Sequence, residues 1–162
     1  MLHHLRCGNE DGLQGGESGL TRVLVAALVR HAIAEEEYVY PAVRRQVSGG
    51  ERIADRGLAQ HAQLEETMQQ LADFRAATAG YWRLLAALTA EVRRHVRYDE
   101  TELFPKLRAS CTRSDLGWLG ERVAGLSGPR QDPPRIWRTT SGDPPLIEQV
   151  RAALVARRGI SR

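Results

Sequence analysis

Cysteine is scarce. The 162 residues hold two, Cys7 and Cys111, far apart and in no metal-binding or redox spacing. That argues against a disulfide-stapled fold and against a thiolate zinc site, and it suits a reducing compartment with both thiols free. Long apolar runs are also missing: the longest, Val23 to Val29, is closed off by Arg22 and Arg30, far short of the ~20 residues that span a bilayer. Met1 is followed by histidines, a cysteine and a glycine-rich run instead of a basic and then apolar leader. The expectation is a soluble, cytoplasmic chain with no membrane partner. Aromatic residues make up only 6% and do not interleave with the basic ones. The net charge of +3 and pI near 9.2 therefore read as solvated arginine-rich helix faces, and no nucleic-acid partner is expected, even for Arg151, Arg157 and Arg158.

No stretch alternates as a strand would, so the fold class reads as all-α. Residues 8–19, rich in glycine, read as a loop. Helical spacing of apolar residues then predicts helices over about 18–47, 52–77, 81–109 and 114–126, with breaks at Ser48-Gly49-Gly50 and Gly80. Five of the seven prolines fall within 127–145, which should be irregular. Asp143-Pro144-Pro145 resembles the start of a closing helix over 146–158. The division expected is a metal-binding bundle over 1–110 and a helical, proline-rich extension over 111–162 that packs on it.

Only five histidines occur, and three have an acid four residues on: His31 with Glu35, His61 with Glu65, His95 with Asp99. Acids fill 20 of 162 positions, so the triple coincidence has a chance of roughly 0.002. Residues four apart in a helix share one face. More specific still, His31 to Pro41 and His95 to Pro105 both read H-x3-[ED]-E-x3-[YF]-P. The apolar stripes Leu24-Leu28-Tyr38, Leu58-Met68-Leu71 and Leu85-Leu88-Val92-Leu103 carry these pairs, which places all three histidines on inward faces. Burying such groups without a partner costs several kcal/mol, at roughly 2–7 each, and a metal ion supplies the compensation. Glu36 and Glu100 fall off the inner stripe and default to solvent or outer support, although Glu100 is an alternative to the short Asp99. Tyr40, Phe104, Pro41 and Pro105 read as packing and kink residues. Imidazole and carboxylate donors on a helical bundle suit iron, with manganese as competitor. Three histidines and three carboxylates leave two ions with open positions for dioxygen, peroxide or water.

These segments resemble the hemerythrin-like, or HHE cation-binding, family, in its actinobacterial type with a proline-rich tail. The resemblance implies a four-helix up-and-down bundle around a bridged, non-haem di-iron site. The implied metal ligands are His31, Glu35, His61, His95 and Asp99. Glu65, standing where oxygen carriers place another histidine, is a further candidate. The family's first helix normally bears one more histidine; here His4 (or His3) sits in what can be only a short or degenerate helix. A homodimer would cover the wall this leaves thin. The expected function is binding or reduction of dioxygen, peroxide or nitric oxide in stress or iron handling. A carboxylate-rich shell favours redox work, such as peroxide disproportionation, over reversible oxygen carriage. The alternatives are a non-enzymatic iron or oxygen sensor and a metal-free helical interaction module.

Overall fold

The computed structural model describes residues 10–74 and 78–127, together with Glu148 and Ala152. Helix α1 (Glu10–Ala34) runs through a π-helical turn (Glu35–Val39) into α2 (Tyr40–Gln46). Ala34, Val39 and Tyr40 all keep right-handed helical dihedrals, so the three pieces form one continuous rod. Helix α3 (Gly50–Asp73) follows. A second rod joins α4 (Ala79–Tyr98), another π turn (Asp99–Leu103) and α5 (Phe104–Ser110), and α6 (Arg113–Ser127) comes last. The described residues thus make four helical bodies and no strand.

The chain breaks where its local chemistry demands. Val47 turns extended at the end of α2. Gly49, at φ 71°, takes the left-handed conformation that leads into α3, which a side chain would resist. The Thr78 hydroxyl accepts the Tyr81 N–H at 3.2 Å and caps α4. Thr112 and Asp115 exchange backbone-to-side-chain bonds of 3.1 and 3.2 Å ahead of α6, a reciprocal cap that sequence reading had not found.

The glycine-rich stretch corrects one expectation. Helix α1 begins at Glu10, so residues expected as a loop are helical. Glycine costs about 1 kcal/mol per position relative to alanine, but extending an existing helix adds a hydrogen bond per residue without a new nucleus. The inward face of α1 differs as well. Leu20 and Leu24 are 71% and 37% exposed, while Val25, Val29 and Ala32 are buried. The Val23–Val29 run is apolar on every side, so its spacing does not define a face. Packing settles the matter through Thr21, whose hydroxyl lies 2.6 Å from that of Tyr81. His3, His4, Cys7 and the proline-rich stretch lie outside the described residues; of the closing helix only Glu148 and Ala152 are described, both helical.

Thr21 with Tyr81 and Glu35 with His95 are each separated by 60 residues, so α1 and α4 run in the same direction in matched register. Helix α3 opposes them: Ile53 meets Tyr98 and Gln60 meets His95. Helix α6 lies along α1 and the first π turn, with Trp118 edge-on to Tyr38 at 5.9 Å. Apolar side chains gather in two clusters. One holds Val25, Val29, Leu64, Met68, Leu71, Tyr81 and Leu88. The other holds Val39, Tyr40, Val43, Ile53, Tyr98, Leu103, Leu107 and Leu119. The buried band of Glu35, His61, His95 and Asp99, with half-exposed His31 at its edge, belongs to neither cluster; His31 and Glu35 fall in sequence between Val29 of the first and Val39 of the second.

Gly57 lets α2 approach α3, since a Cβ there would meet the Tyr40 hydroxyl at 2.5 Å. Gly57→Ala is expected to lower stability by about 1–3 kcal/mol through overpacking, against the ~1 kcal/mol that alanine gains as a helix former. Urea unfolding of the variant checks this; an unchanged or raised midpoint contradicts the contact.

Candidate metal centre

Each H-x3-[ED] pair uses the ordinary helical repeat to put imidazole and carboxylate on one face. The residues after it do something less ordinary. Pro41 and Pro105 lack an N–H, and their rings crowd the carbonyl four positions back. In both motifs the helix widens before the proline: Tyr40 N–H bonds to the Glu35 carbonyl and Phe104 N–H to the Asp99 carbonyl. Both bonds span five residues, the mark of a π turn, a feature frequent at functional sites. The widened turn stacks residues five apart, so Tyr40 comes over Glu35. The repeated sequence motif is thus a repeated backbone device, and each copy starts at its carboxylate.

Glu35, 1% exposed, is the hub. Its Oε2 lies 3.1 Å from His61 Nε2 and 3.2 Å from His95 Nε2, and its Oε1 lies 3.3 Å from His31 Nε2. His95 Nε2 is also 3.2 Å from Asp99 Oδ2 and 3.2 Å from His61 Nε2. The three Nε2 atoms therefore converge. The outward nitrogens are held from behind, His61 Nδ1 by Glu36 at 2.9 Å and His95 Nδ1 by the Gln60 carbonyl oxygen at 3.1 Å. Supporting partners on Nδ1 that leave Nε2 free to face inward are what metal-binding histidines ordinarily have. The Tyr40 hydroxyl closes one side, 3.3 Å from Glu35 Oε2 and 3.1 Å from His61 Nε2.

The electrostatics of this band are unsettled in the way an ion would resolve. Burial would raise the Glu35 carboxyl, but the His61 and His95 hydrogen bonds bring it down to about 2. Burial, with Glu35 alongside, pushes Asp99 up to about 7. Burial opposes protonation of His61, yet Glu35 and Glu36 raise it to about 9. Burial lowers His31, with Glu35 opposing, and Tyr40 is raised, first by burial and then by Glu35. Asp99 Oδ1 is buried with no hydrogen-bond partner, a loss of about 1–3 kcal/mol. The donor set, its convergence and this orphaned oxygen all fit a bound cation.

Of the residues singled out from sequence, His31, Glu35, His95 and Asp99 present ligand atoms all within 4.8 Å of one another. His61 touches two of them. Glu65 is half-buried and lines a cavity of about 110 Å³ with His31, His61 and His95, but it stands apart from that four-residue group. Glu100 is exposed. His4 lies outside the described residues. Sequence reading missed two contributors. Tyr40, expected only to pack, brings a hydroxyl to the site, its place in the repeated motif being the available signal, and Gln60 carries no signal in the sequence at all.

A family model of the hemerythrin HHE cation-binding domain matches residues 7–107, well over half of the chain. The chain belongs to the hemerythrin HHE cation-binding family. No curated protein and no solved structure matches it. Within this HHE chain, α6 lies beyond the matched residues and still packs on α1.

The proton balance of the HHE site sets a pH dependence. His61 rises from 6.5 to about 9 and Asp99 from 3.8 to about 7. Both hold their protons more tightly when folded, so both stabilise the metal-free protein at low pH and lose that contribution as pH rises through those values. A metal held by His61 and Asp99 would displace the same protons, so its affinity would climb over the same window. In chelator, the urea midpoint is expected to fall from pH 6 to pH 9, while the gap between manganese-loaded and chelated protein widens. A gap that narrows contradicts the assignment.

Proposed function

We propose that this protein is a non-haem di-iron HHE protein, built as an up-and-down four-helix bundle, that binds or reduces dioxygen, peroxide or nitric oxide. The observation that carries the reading is the convergence of three imidazole Nε2 atoms on Glu35 and Asp99, two of them steadied at Nδ1. His31, Glu35, His61, His95 and Asp99 would hold the ions, with Glu35 placed to serve more than one. Glu65 and His4 are further candidates, and Glu100 would need a change of rotamer. Iron suits this nitrogen and oxygen donor set, and manganese competes for it. When bound, the metal supplies one-electron redox steps and open coordination positions.

The chain's own residues do the remaining work. Glu36 and Gln60 fix the His61 and His95 rings. Tyr40 donates to Glu35 and keeps its proton because burial raises it. The cavity of about 110 Å³ beside the histidines is walled by Leu28, Ala32, Leu64, Met68, Val92 and Val96. That is room for roughly three or four waters at ~30 Å³ each, a size suited to a diatomic or peroxide. The two buried carboxylates, Glu35 and Asp99, would add negative charge and favour a higher oxidation state of a metal held there, which suits redox work over reversible oxygen carriage. No helix among the described residues is long and apolar enough to cross a membrane, and we place the protein in a cytoplasmic stress or iron-handling role. Residues 111–162 are read as an extension whose α6 covers the first motif.

A second reading is a sensor or a metal-free module. The bonds joining Glu35, His61 and Tyr40 favour it, because they hold the site partly closed by themselves. Peroxide consumption by the iron-reconstituted protein separates the readings. The expected result is turnover that His61→Ala abolishes and Glu36→Gln lowers by about 10–100-fold. Iron-bearing His61→Ala with undiminished turnover contradicts the proposal. Iron-dependent stabilisation without turnover selects the sensor, and indifference to iron selects the module.

A further inference from the structure

A larger cavity, about 320 Å³, opens between the two rods and α6. Its walls are apolar: Val39, Phe104, Leu107, Leu116, Leu119 and Val123. His31 and Glu35 line it as well. It is therefore distinct from the 110 Å³ cavity, and the two share only His31. At ~30 Å³ per water-sized unit it holds roughly ten non-hydrogen atoms, within the range of small-molecule sites and far more than a diatomic needs. Arg108 also lines this cavity, with an exposed side chain, and among the described residues it makes no ion pair.

A largely apolar-walled chamber whose guanidinium makes no ion pair among the described residues selects a definite chemistry. Apolar walls favour a hydrocarbon or aromatic body, and a planar fork of N–H donors favours a carboxylate. We propose that this cavity is a binding site for a small apolar monocarboxylate of about eight to ten non-hydrogen atoms, its carboxylate on Arg108 and its apolar body against Phe104, Leu116, Leu119 and Val123. Occupancy then places an organic ligand beside His31 and Glu35, outside the small cavity. The inference does not depend on which metal the HHE site takes.

Gly120 gives a clean handle. It lines the cavity, and a Cβ there meets nothing within 4 Å, so a larger residue enters open space while improving helix propensity. The experiment is calorimetric titration of octanoate into the full-length protein, in chelator and again with manganese. Octanol serves as the uncharged control. Saturable binding of octanoate in both conditions is expected. Arg108→Gln should weaken octanoate at least tenfold and leave octanol unchanged, and Gly120→Leu should abolish both without lowering manganese uptake or the melting temperature. No octanoate binding to the chelated wild type overturns the proposal. Equal losses for octanoate and octanol in Arg108→Gln overturn the carboxylate assignment, and full binding by Gly120→Leu removes the site from this cavity. Because manganese uptake is read separately, failure here is distinguishable from failure of the metal centre.

Discussion

The structure turns on a carboxylate that has no business being ionised where it is. Glu35 sits at 1% exposure within about 3 Å of three imidazoles and a phenol. Leaving such a charge unpaired in a protein interior costs several kcal/mol or more. The surrounding histidines offset that cost only if they stay protonated or share a cation. They cannot all do the former: His31 is pushed down while His61 is pushed up, and two ring nitrogens face each other at 3.2 Å. A bound metal satisfies Glu35, the orphaned Asp99 oxygen and the facing nitrogens together. The rest of the fold keeps these groups in register.

That register comes from a duplicated device. Each long rod is interrupted once, by a π turn that opens on a buried carboxylate, Glu35 or Asp99, and ends before an aromatic residue and a proline. The two rods run parallel with a constant offset of 60 residues, whereas Glu35 and Asp99 open turns 64 residues apart, so the turns are staggered by about one helical turn and Glu35 lies level with His95. Helix α3 lies against both, antiparallel, and contributes His61 and Gln60 to that same level. The copies differ in one respect. Tyr40 carries a hydroxyl into the site and Phe104 does not. The site is accordingly asymmetric: the Tyr40 hydroxyl reaches Glu35 and His61, while Phe104 lines the larger cavity under α6 with His31 and Glu35.

Much of this was legible in the sequence, for physical reasons that also explain what was not. The His-acid pairs and the repeated motif survive translation into structure because residues four apart on a helix must share a face. The break at Ser48-Gly49 was legible because Gly49 takes the left-handed conformation there, whereas Gly80, expected as a break, is helical inside α4 and the helix before it ends at Asp73. The helical start at Glu10 was hidden, because local propensity argues against it and cooperative extension argues for it. The inward face of α1 was hidden by a run apolar on all sides. The π turns were not foreseen either, although Pro41 and Pro105 marked their place; a widened turn accommodates each proline in a helix that continues past it. Gln60 could not be found by any local rule, since its role exists only where α3 meets α4.

Metal stoichiometry is the most direct test of the central claim. Elemental analysis of the protein reconstituted with iron without oxygen, set beside Glu35→Ala handled identically, reads the site without reference to any activity. The account expects about two irons per chain in the wild type and less than half that in the variant, since Glu35 joins the three histidines. A wild type that retains no iron, or a variant that retains as much as the wild type, would contradict it.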